Sequence, residues 1–436
     1  IMARVRFPIS QIAGSMAAAL WLTLVSVGAA PQAGREPISP NDIVRASFPG
    51  DVRVAPDGRS VALVVTDYPN AGKSRRNIWM YDVARSNLWR FTTSSGSDSS
   101  PRWSPDSTTL AFLSDRGGKT QIYRISRDGG EAHAVTNSKT SAGAPAWSPD
   151  GKSLAFLAEE PPTAEEERRE KEKDDARSVD RDDKPTCLWV VDLASGQIRQ
   201  VTKAPLRLEE FVWLPSGDGF VAAATEDAHP ETATVRVYRI ALADGSARVV
   251  AAPAEPFGDI AVSPDGRILS WVGARSADGL TAHDLFSRDL NGDDGGNLTA
   301  SLDRPVASYH WSAPNRIEAV LEDGFGTRLL AIRLPPGQEA LAGPPVSIRG
   351  MSSAGNTRAF IGGTSSQADE LWVARGSAEP VRVSHWNDAL SARLAGPHER
   401  FTYRSFDGRS IEAALLLPPG AKAGARGRRF RKNLLD

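Results

Sequence analysis

An all-β fold, a β-propeller of about seven blades, is predicted by three observations in this 436-residue chain. A short turn motif recurs at a nearly fixed interval. Each interval holds about four short strands, the content of one propeller blade. The 38 Gly and 30 Pro are spread between apolar runs, which suits many turns and argues against a helical bundle.

The turn motif is an apolar or aromatic residue, a Ser-Pro-Asp-Gly-like turn and then a short apolar strand. Ala55-Pro56-Asp57-Gly58 precedes Val61–Val64, and Trp103-Ser104-Pro105-Asp106 precedes Leu110–Leu113. Trp147-Ser148-Pro149-Asp150-Gly151 leads to Leu154–Leu157, and Trp213-Leu214-Pro215-Ser216-Gly217 to Phe220–Ala222. Val262-Ser263-Pro264-Asp265-Gly266 leads to Ile268–Trp271, and Trp311-Ser312-Ala313-Pro314-Asn315 to Ile317–Val320. A worn seventh copy, Ala354-Gly355-Asn356 before Ala359–Ile361, lacks the proline. The marker prolines are separated by 49, 44, 66, 49 and 50 residues. Proline presets the backbone angle of a tight turn, Asp bonds its own backbone there, and Gly accepts positive φ.

A second half-motif lies inside each period: an apolar strand, a polar turn, and a strand ending in a hydroxyl residue. Ile78–Val83 runs to Thr92, Ile122–Ile125 to Thr136, Leu188–Leu193 to Thr202, and Glu370–Val373 to Ser384. A four-stranded sheet has two exposed edges, and radial packing leaves these short and protected. A ring of blades over residues 39–390 is therefore expected, in preference to a flat tandem array with uncapped ends.

The 66-residue interval contains a charged run over 159–185, including Glu165-Glu166-Glu167-Arg168-Arg169-Glu170-Lys171. It reads as a solvated insertion in blade three with a helical turn. After the propeller, Phe401–Ser405, the turn Asp407-Gly408 and Ile411–Leu417 read as a hairpin outside the repeat. Over 397–420 it is expected to open a second domain, and 421–436 to be a basic tail.

The net charge of -1 gives no electrostatic reason to expect a nucleic-acid partner. Residues 1–30 have Arg4 and Arg6, then an apolar run from Met16 to Val27, then Gly28-Ala29-Ala30. This is the anatomy of a cleaved export signal, with periplasmic or secreted location expected, no membrane contact after cleavage, and an uncleaved anchor as the rival. The lone Cys187 excludes an internal disulfide and reads as a packing residue.

Together these motifs resemble the N-terminal part of the prolyl-oligopeptidase family of serine peptidases, in its acylaminoacyl-peptidase and dipeptidyl-peptidase branches. The resemblance runs from Ser39-Pro40-Asn41-Asp42-Ile43-Val44, through the Trp-Ser-Pro-Asp-Gly repeats and Leu188-Trp189-Val190-Val191-Asp192, to Phe406-Asp407-Gly408 and Leu417-Pro418-Pro419-Gly420. The repeats are shared with TolB-like and WD-like propellers, and the hairpin after the last blade is what favours the peptidases. The resemblance implies a propeller that admits peptides to a Ser-Asp-His triad on an α/β-hydrolase domain. That domain is expected to be truncated here, because no Gly-x-Ser-x-Gly occurs and the residues after Gly420 depart from the family.

No catalytic residue, cofactor or metal ligand is assigned. The six His, at 133, 229, 283, 310, 385 and 398, form no metal-binding pair by spacing. Glu209-Glu210, placed before the fourth blade, and Glu159-Glu160, ending a strand in the third, are candidates for holding a peptide ammonium, as paired Glu do in some dipeptidyl peptidases. The expected function is the substrate-gating propeller of an exported peptidase acting on short peptides. The alternative is a TolB-type scaffold that binds a protein at the propeller mouth.

Overall fold

The computed structural model describes residues 38–70, 73–143, 145–173, 184–203, 205–227, 234–276, 282–292, 294–334, 337–394 and 398–416. The expected leader, the Pro418-Pro419-Gly420 close of the hairpin, the basic tail, His229 and residues 174–183 of the insertion lie outside them.

Consecutive strands form seven four-stranded antiparallel sheets, each in simple meander order. Their innermost strands are Phe48–Val54, Asp98–Trp103, Ala146–Trp147, Arg207–Trp213, Phe257–Val262, Val306–Ala313 and Ser347–Ala354. Each touches the innermost strand of the next blade, and the seventh touches the first, so the ring closes around an axis. In a meander the first-to-second turns fall at one end of the axis. The second-to-third links and the blade-to-blade links fall at the other. We call these the turn end and the loop end.

The near-continuous apolar runs follow from burial on both faces. In the second strand of blade 2, Thr109–Ser114, Leu110 and Phe112 pack with Ile78 and Met80 of blade 1. Ala111 and Leu113, on the opposite face, pack with Leu154 and Phe156 of blade 3.

Each element of the repeat has a physical task. Ser104 Oγ donates to Asp106 Oδ1 at 2.5 Å and accepts the Thr109 N–H at 3.0 Å, and Ser148 and Ser263 do the same in their turns. These hydroxyls hold Asp106, Asp150 and Asp265 below the usual carboxylate range. Gly151 has φ +70°, a backbone conformation that favours glycine, and its turn lies in contact with Pro105 of the preceding blade. The motif tryptophans tie blades together. Trp103 Nε1 donates to the Arg53 carbonyl at 3.1 Å, Trp147 to Arg102 at 2.9 Å and Trp213 to Ala146 at 3.1 Å. Trp311 departs from this and donates to Ser270 Oγ.

The hydroxyls of the second half-motif cap the third strand in five of the seven sheets, those of blades 1, 2, 3, 5 and 7. Thr92, Thr136, Thr202, Thr299 and Ser384 are buried and accept the N–H of Ile78, Ile122, Leu188, Leu285 and Leu371 at 2.8–3.0 Å.

Among the described residues no strand is shared between the first and last blades, since blade 7 uses only residues after blade 6. Side chains close the seam instead. Val52, Val61 and Leu63 of blade 1 share a core with Ala359, Ile361 and Leu371 of blade 7. Asn387 donates to the Ser47 carbonyl at 2.8 Å and accepts its N–H at 2.9 Å. Arg393 reaches Asp42 at 2.7 Å, and Trp79 meets Trp386 edge to face at 5.3 Å. Asp42 belongs to the short helix Pro40–Val44 just before blade 1.

The charged insertion joins the second and third strands of blade 3 at the loop end, and carries the helix Ala164–Glu172. Glu166 at its start is held at about 2 by Lys184 first and by the Thr163 N–H.

Removing a buried hydroxyl cap should cost about 1–3 kcal/mol, because the strand N–H loses its acceptor. Thr202→Val is expected to lower the unfolding free energy from urea titration by that much, with a lower midpoint, and Thr202→Ser by clearly less. Equal midpoints for the Val variant and the native chain would contradict the capping role.

Candidate functional site: the axial ring and the loop end

In six of the seven blades one residue on the innermost strand immediately precedes the apolar marker, which in blade 1 is Val54, the register equivalent of Trp103. In blades 1 to 6 these are Arg53, Arg102, Ala146, Val212, Ala261 and His310. All three titratable members are basic, and they fall on blades 6, 1 and 2, an arc broken only by blade 7.

The arc is linked by charge. Asp51 Oδ1 accepts Arg53 Nε at 2.9 Å and Arg102 Nη1 at 3.2 Å. Asp51 sits in a bulge between Gly50 and Arg53 with φ +40°, which turns its carboxylate toward both guanidiniums. Burial pulls Arg102 below its ordinary value, the neighbouring Arg53 charge adds to this, and Asp51 opposes it. His310 is held low, first by burial and also by Arg53, while Glu318 pulls upward. His310 Nε2 bonds Ser353 Oγ and lies 3.6 Å from Glu318 Oε2, an atom with no hydrogen-bond partner.

The opposite arc is acidic. Glu209 and Glu210 lie on the innermost strand of blade 4, with Asp259 on that of blade 5. Glu210 Oε1 accepts the Ile260 N–H at 3.1 Å. Its carboxyl is pushed up to about 7, foremost by burial, with Asp259 and Glu209 adding to the rise. Glu209 is raised by burial and by Glu255. Tyr309 donates to the Asp259 carbonyl at 2.7 Å, and its hydroxyl is pushed up by burial.

This corrects the placement of Glu209-Glu210: the pair lies within blade 4, not before it. The strand begins ahead of its Trp213 turn, so a blade counted from the turn starts one strand late. Adjacent residues on a strand point to opposite sides, but the bulge between Leu208 and Glu210 breaks the register at Glu209. Glu159 does end a strand of blade 3, while Glu160 accepts Gln200 Nε2 at 2.9 Å on the outermost strand, far from the axis in the blade order. Cys187 is buried and its thiol is raised by burial. Arg53, Arg102 and His310 were not singled out from the sequence. The signal was available: each is the residue just before the repeat's apolar marker.

At the loop end a cavity of about 540 Å³ opens between blades 6 and 7, lined by Ser308, Phe325, Thr327, Ile348 and Arg349 among others. It lies at the outer mouth and not in the charged ring. Beside it sits the hairpin of His398–Arg404 and Ser410–Leu416. Its polar face meets blade 6. Arg400 lies 5.9 Å over the Phe325 ring and donates to the Phe325 carbonyl. Glu412 packs where a side chain at Gly324 (φ +59°) would be. The register pairs Thr402 with Glu412 on this face, and puts Phe401, Tyr403 and Ile411 on the other. Those three and Leu415 are exposed, so the apolar face of the hairpin points away from the propeller.

Residues 44–186 match the family model described as TolB beta propeller domain. Over 102 residues the chain is 37% identical to the uncharacterized peptidase YuxL of Bacillus subtilis, a match taking in 23% of this chain and 16% of that one. Its fold is similar to an acylaminoacyl peptidase solved with Z-Gly-Gly-Phe-chloromethyl ketone, at 17% identity and a TM-score of 0.68, over 88% of this chain and 59% of that one. It is also similar to the propeller domain of the trilobed protease of Pyrococcus furiosus, at 17% identity and a TM-score of 0.58, over 79% of this chain and 99% of that one. That domain is described as having an open velcro topology. The chain thus spans less than two thirds of the acylaminoacyl peptidase. The fold is that of the propeller of acylaminoacyl peptidases and related prolyl-oligopeptidase-family enzymes, as the sequence resemblance implied.

Glu210 gives the ring a pH signature. Its folded value of about 7 lies above the ordinary 4.5, so the folded chain keeps a proton that the unfolded chain loses between these values. The stability it contributes is full below about 4.5 and is lost as pH rises through 7, a fall on the order of 3 kcal/mol. Urea unfolding across this window should show the fall in the native chain and a flatter profile in Glu210→Gln. Superimposable profiles would mean that Glu210 titrates normally.

Proposed function

We propose that this chain supplies the substrate-admitting propeller of a serine peptidase that hydrolyses short peptides. The hairpin after blade 7 carries the reading. A two-stranded ribbon is marginal alone, and this one turns its apolar face away from the body it rests on. It is suited to be the opening of a further sheet, here read as that of an α/β-hydrolase domain. The similarity to an acylaminoacyl peptidase solved with a peptidyl chloromethyl ketone, and to a curated peptidase, supports the same substrate class.

The reaction assigned to the whole enzyme is acyl transfer through serine. These 436 residues contain no Gly-x-Ser-x-Gly, so the nucleophile is assigned to the hydrolase domain and the propeller to selection and access. We further propose that the enzyme works outside the cytoplasm, from the basic start, apolar run and small residues over 1–30. A protein-binding scaffold is the second reading, favoured by the TolB description of the model matching 44–186.

The chain as it stands is compared with the chain extended by the residues encoded downstream of it in each frame, using acetyl-aminoacyl and aminoacyl nitroanilides. Only an extended form is expected to cleave them and to be labelled by a serine-reactive fluorophosphonate. If every form is inert and unlabelled, the peptidase reading fails and the scaffold reading replaces it.

A further inference from the structure

Within the basic arc the two guanidiniums of Arg53 and Arg102 outnumber the one carboxylate they bond, while the other carboxylate of the arc, Glu318, lies against His310. Arg53 and Arg102 share one carboxylate, Asp51. Arg102 spends Nη1 on Asp51 and on the Pro101 carbonyl at 2.8 Å, and among the described residues its Nε and Nη2 bond nothing. Arg53 uses Nε and Nη2 on Asp51, leaving Nη1 free. None of these free nitrogens is sealed from solvent, since they are not among the buried unpaired atoms. Both guanidiniums touch the same Asp51 Oδ1, so their forks are held side by side on adjacent blades, next to the axis.

We propose that Arg53 and Arg102 form a carboxylate anchor on the propeller axis that takes a peptide bearing a free carboxylate. A guanidinium fork matches a carboxylate in shape, and a partly desolvated pair binds it more strongly than a surface arginine. Asp51 holds the forks in place, so little side-chain freedom is lost on binding. The rest of the ring position favours one orientation. Ala146, Val212 and Ala261 offer no competing charge. Asp259 and Glu209 across the axis, joined by Glu210 when it is ionised, repel a carboxylate and attract an ammonium. The anchor rests on the reading that peptides enter the propeller, and it adds to that reading a preference for the charged end.

Calorimetric titration of the whole chain tests it with three peptides: acetyl-Ala-Ala-Phe as the free acid, the same peptide as its C-terminal amide, and acetyl-Ala-Asp-Ala amide. The free acid is expected to bind at least tenfold more tightly than its amide. Arg102→Met should remove that preference, and Arg102→Lys, which keeps charge but not the fork, should restore part of it. The aspartyl amide identifies the source: binding equal to the free acid assigns the site to any carboxylate, and weaker binding assigns it to the peptide C-terminus. Equal binding of acid and amide by the native chain, or a tenfold preference surviving in Arg102→Met, overturns the anchor while leaving peptide entry intact. No binding of any of the three at millimolar concentration overturns both.

Discussion

Each blade carries apolar side chains on both faces, so each needs a neighbour on either side. Leu110 and Phe112 share a core with blade 1, and Ala111 and Leu113 one with blade 3. Two blades in a row would leave their outer faces in water, and so would six in an open row. Closure of the ring is therefore the constraint on which the remaining structure depends. It falls on one seam, where Val52, Val61 and Leu63 meet Ala359, Ile361 and Leu371 and, among the described residues, no strand is exchanged between blades 1 and 7. Asn387, Arg393 and the Trp79–Trp386 contact hold that seam by side chains. Such contacts are less cooperative than a shared ladder of backbone hydrogen bonds.

Closure also creates the chemistry at the axis. Seven innermost strands brought edge to edge convert isolated charges, scattered over some 300 residues of sequence, into two facing arcs. Arg102 and Asp51 are about 50 residues apart in the chain and bonded in space. The same holds for Glu210 and Ile260. Desolvation acts on both arcs by disfavouring the charged forms: it pushes Glu210 up and pulls Arg102 and His310 down. The interior of the ring is thus a place where the charge of a ligand matters more than it would on an open surface.

The two ends of the axis differ in kind. The turn end is built of tight, mutually packed Ser-Pro-Asp-Gly turns with little room for variation. The loop end receives the charged insertion, the flanking short helices, the cavity between blades 6 and 7 and the hairpin. Loops positioned by a rigid scaffold are where binding and partner contacts gather. The outward apolar face of Phe401, Tyr403, Ile411 and Leu415 fits that division.

The sequence by itself determined the blade. Pro, Asp and Gly at fixed offsets specify a turn, short apolar runs specify strands, and the interval between turns specifies four strands to a sheet; these are local interactions, readable within about 50 residues. It also showed the hydroxyls that end the outer strands, though not that Thr92, Thr136 and Thr202 cap the backbone of the strand beside them. The hairpin was legible from Asp407-Gly408 between two apolar runs, but its orientation was not. That orientation depends on Arg400 meeting Phe325 and on Glu412 meeting Gly324, contacts made across about 75 residues or more of chain. Only the tertiary structure decided the ring's charges, because whether Arg53, Arg102 and Glu210 face one another depends on how many blades close the circle and on the register of each innermost strand. That information is carried by no single repeat, since it exists only once all seven have packed.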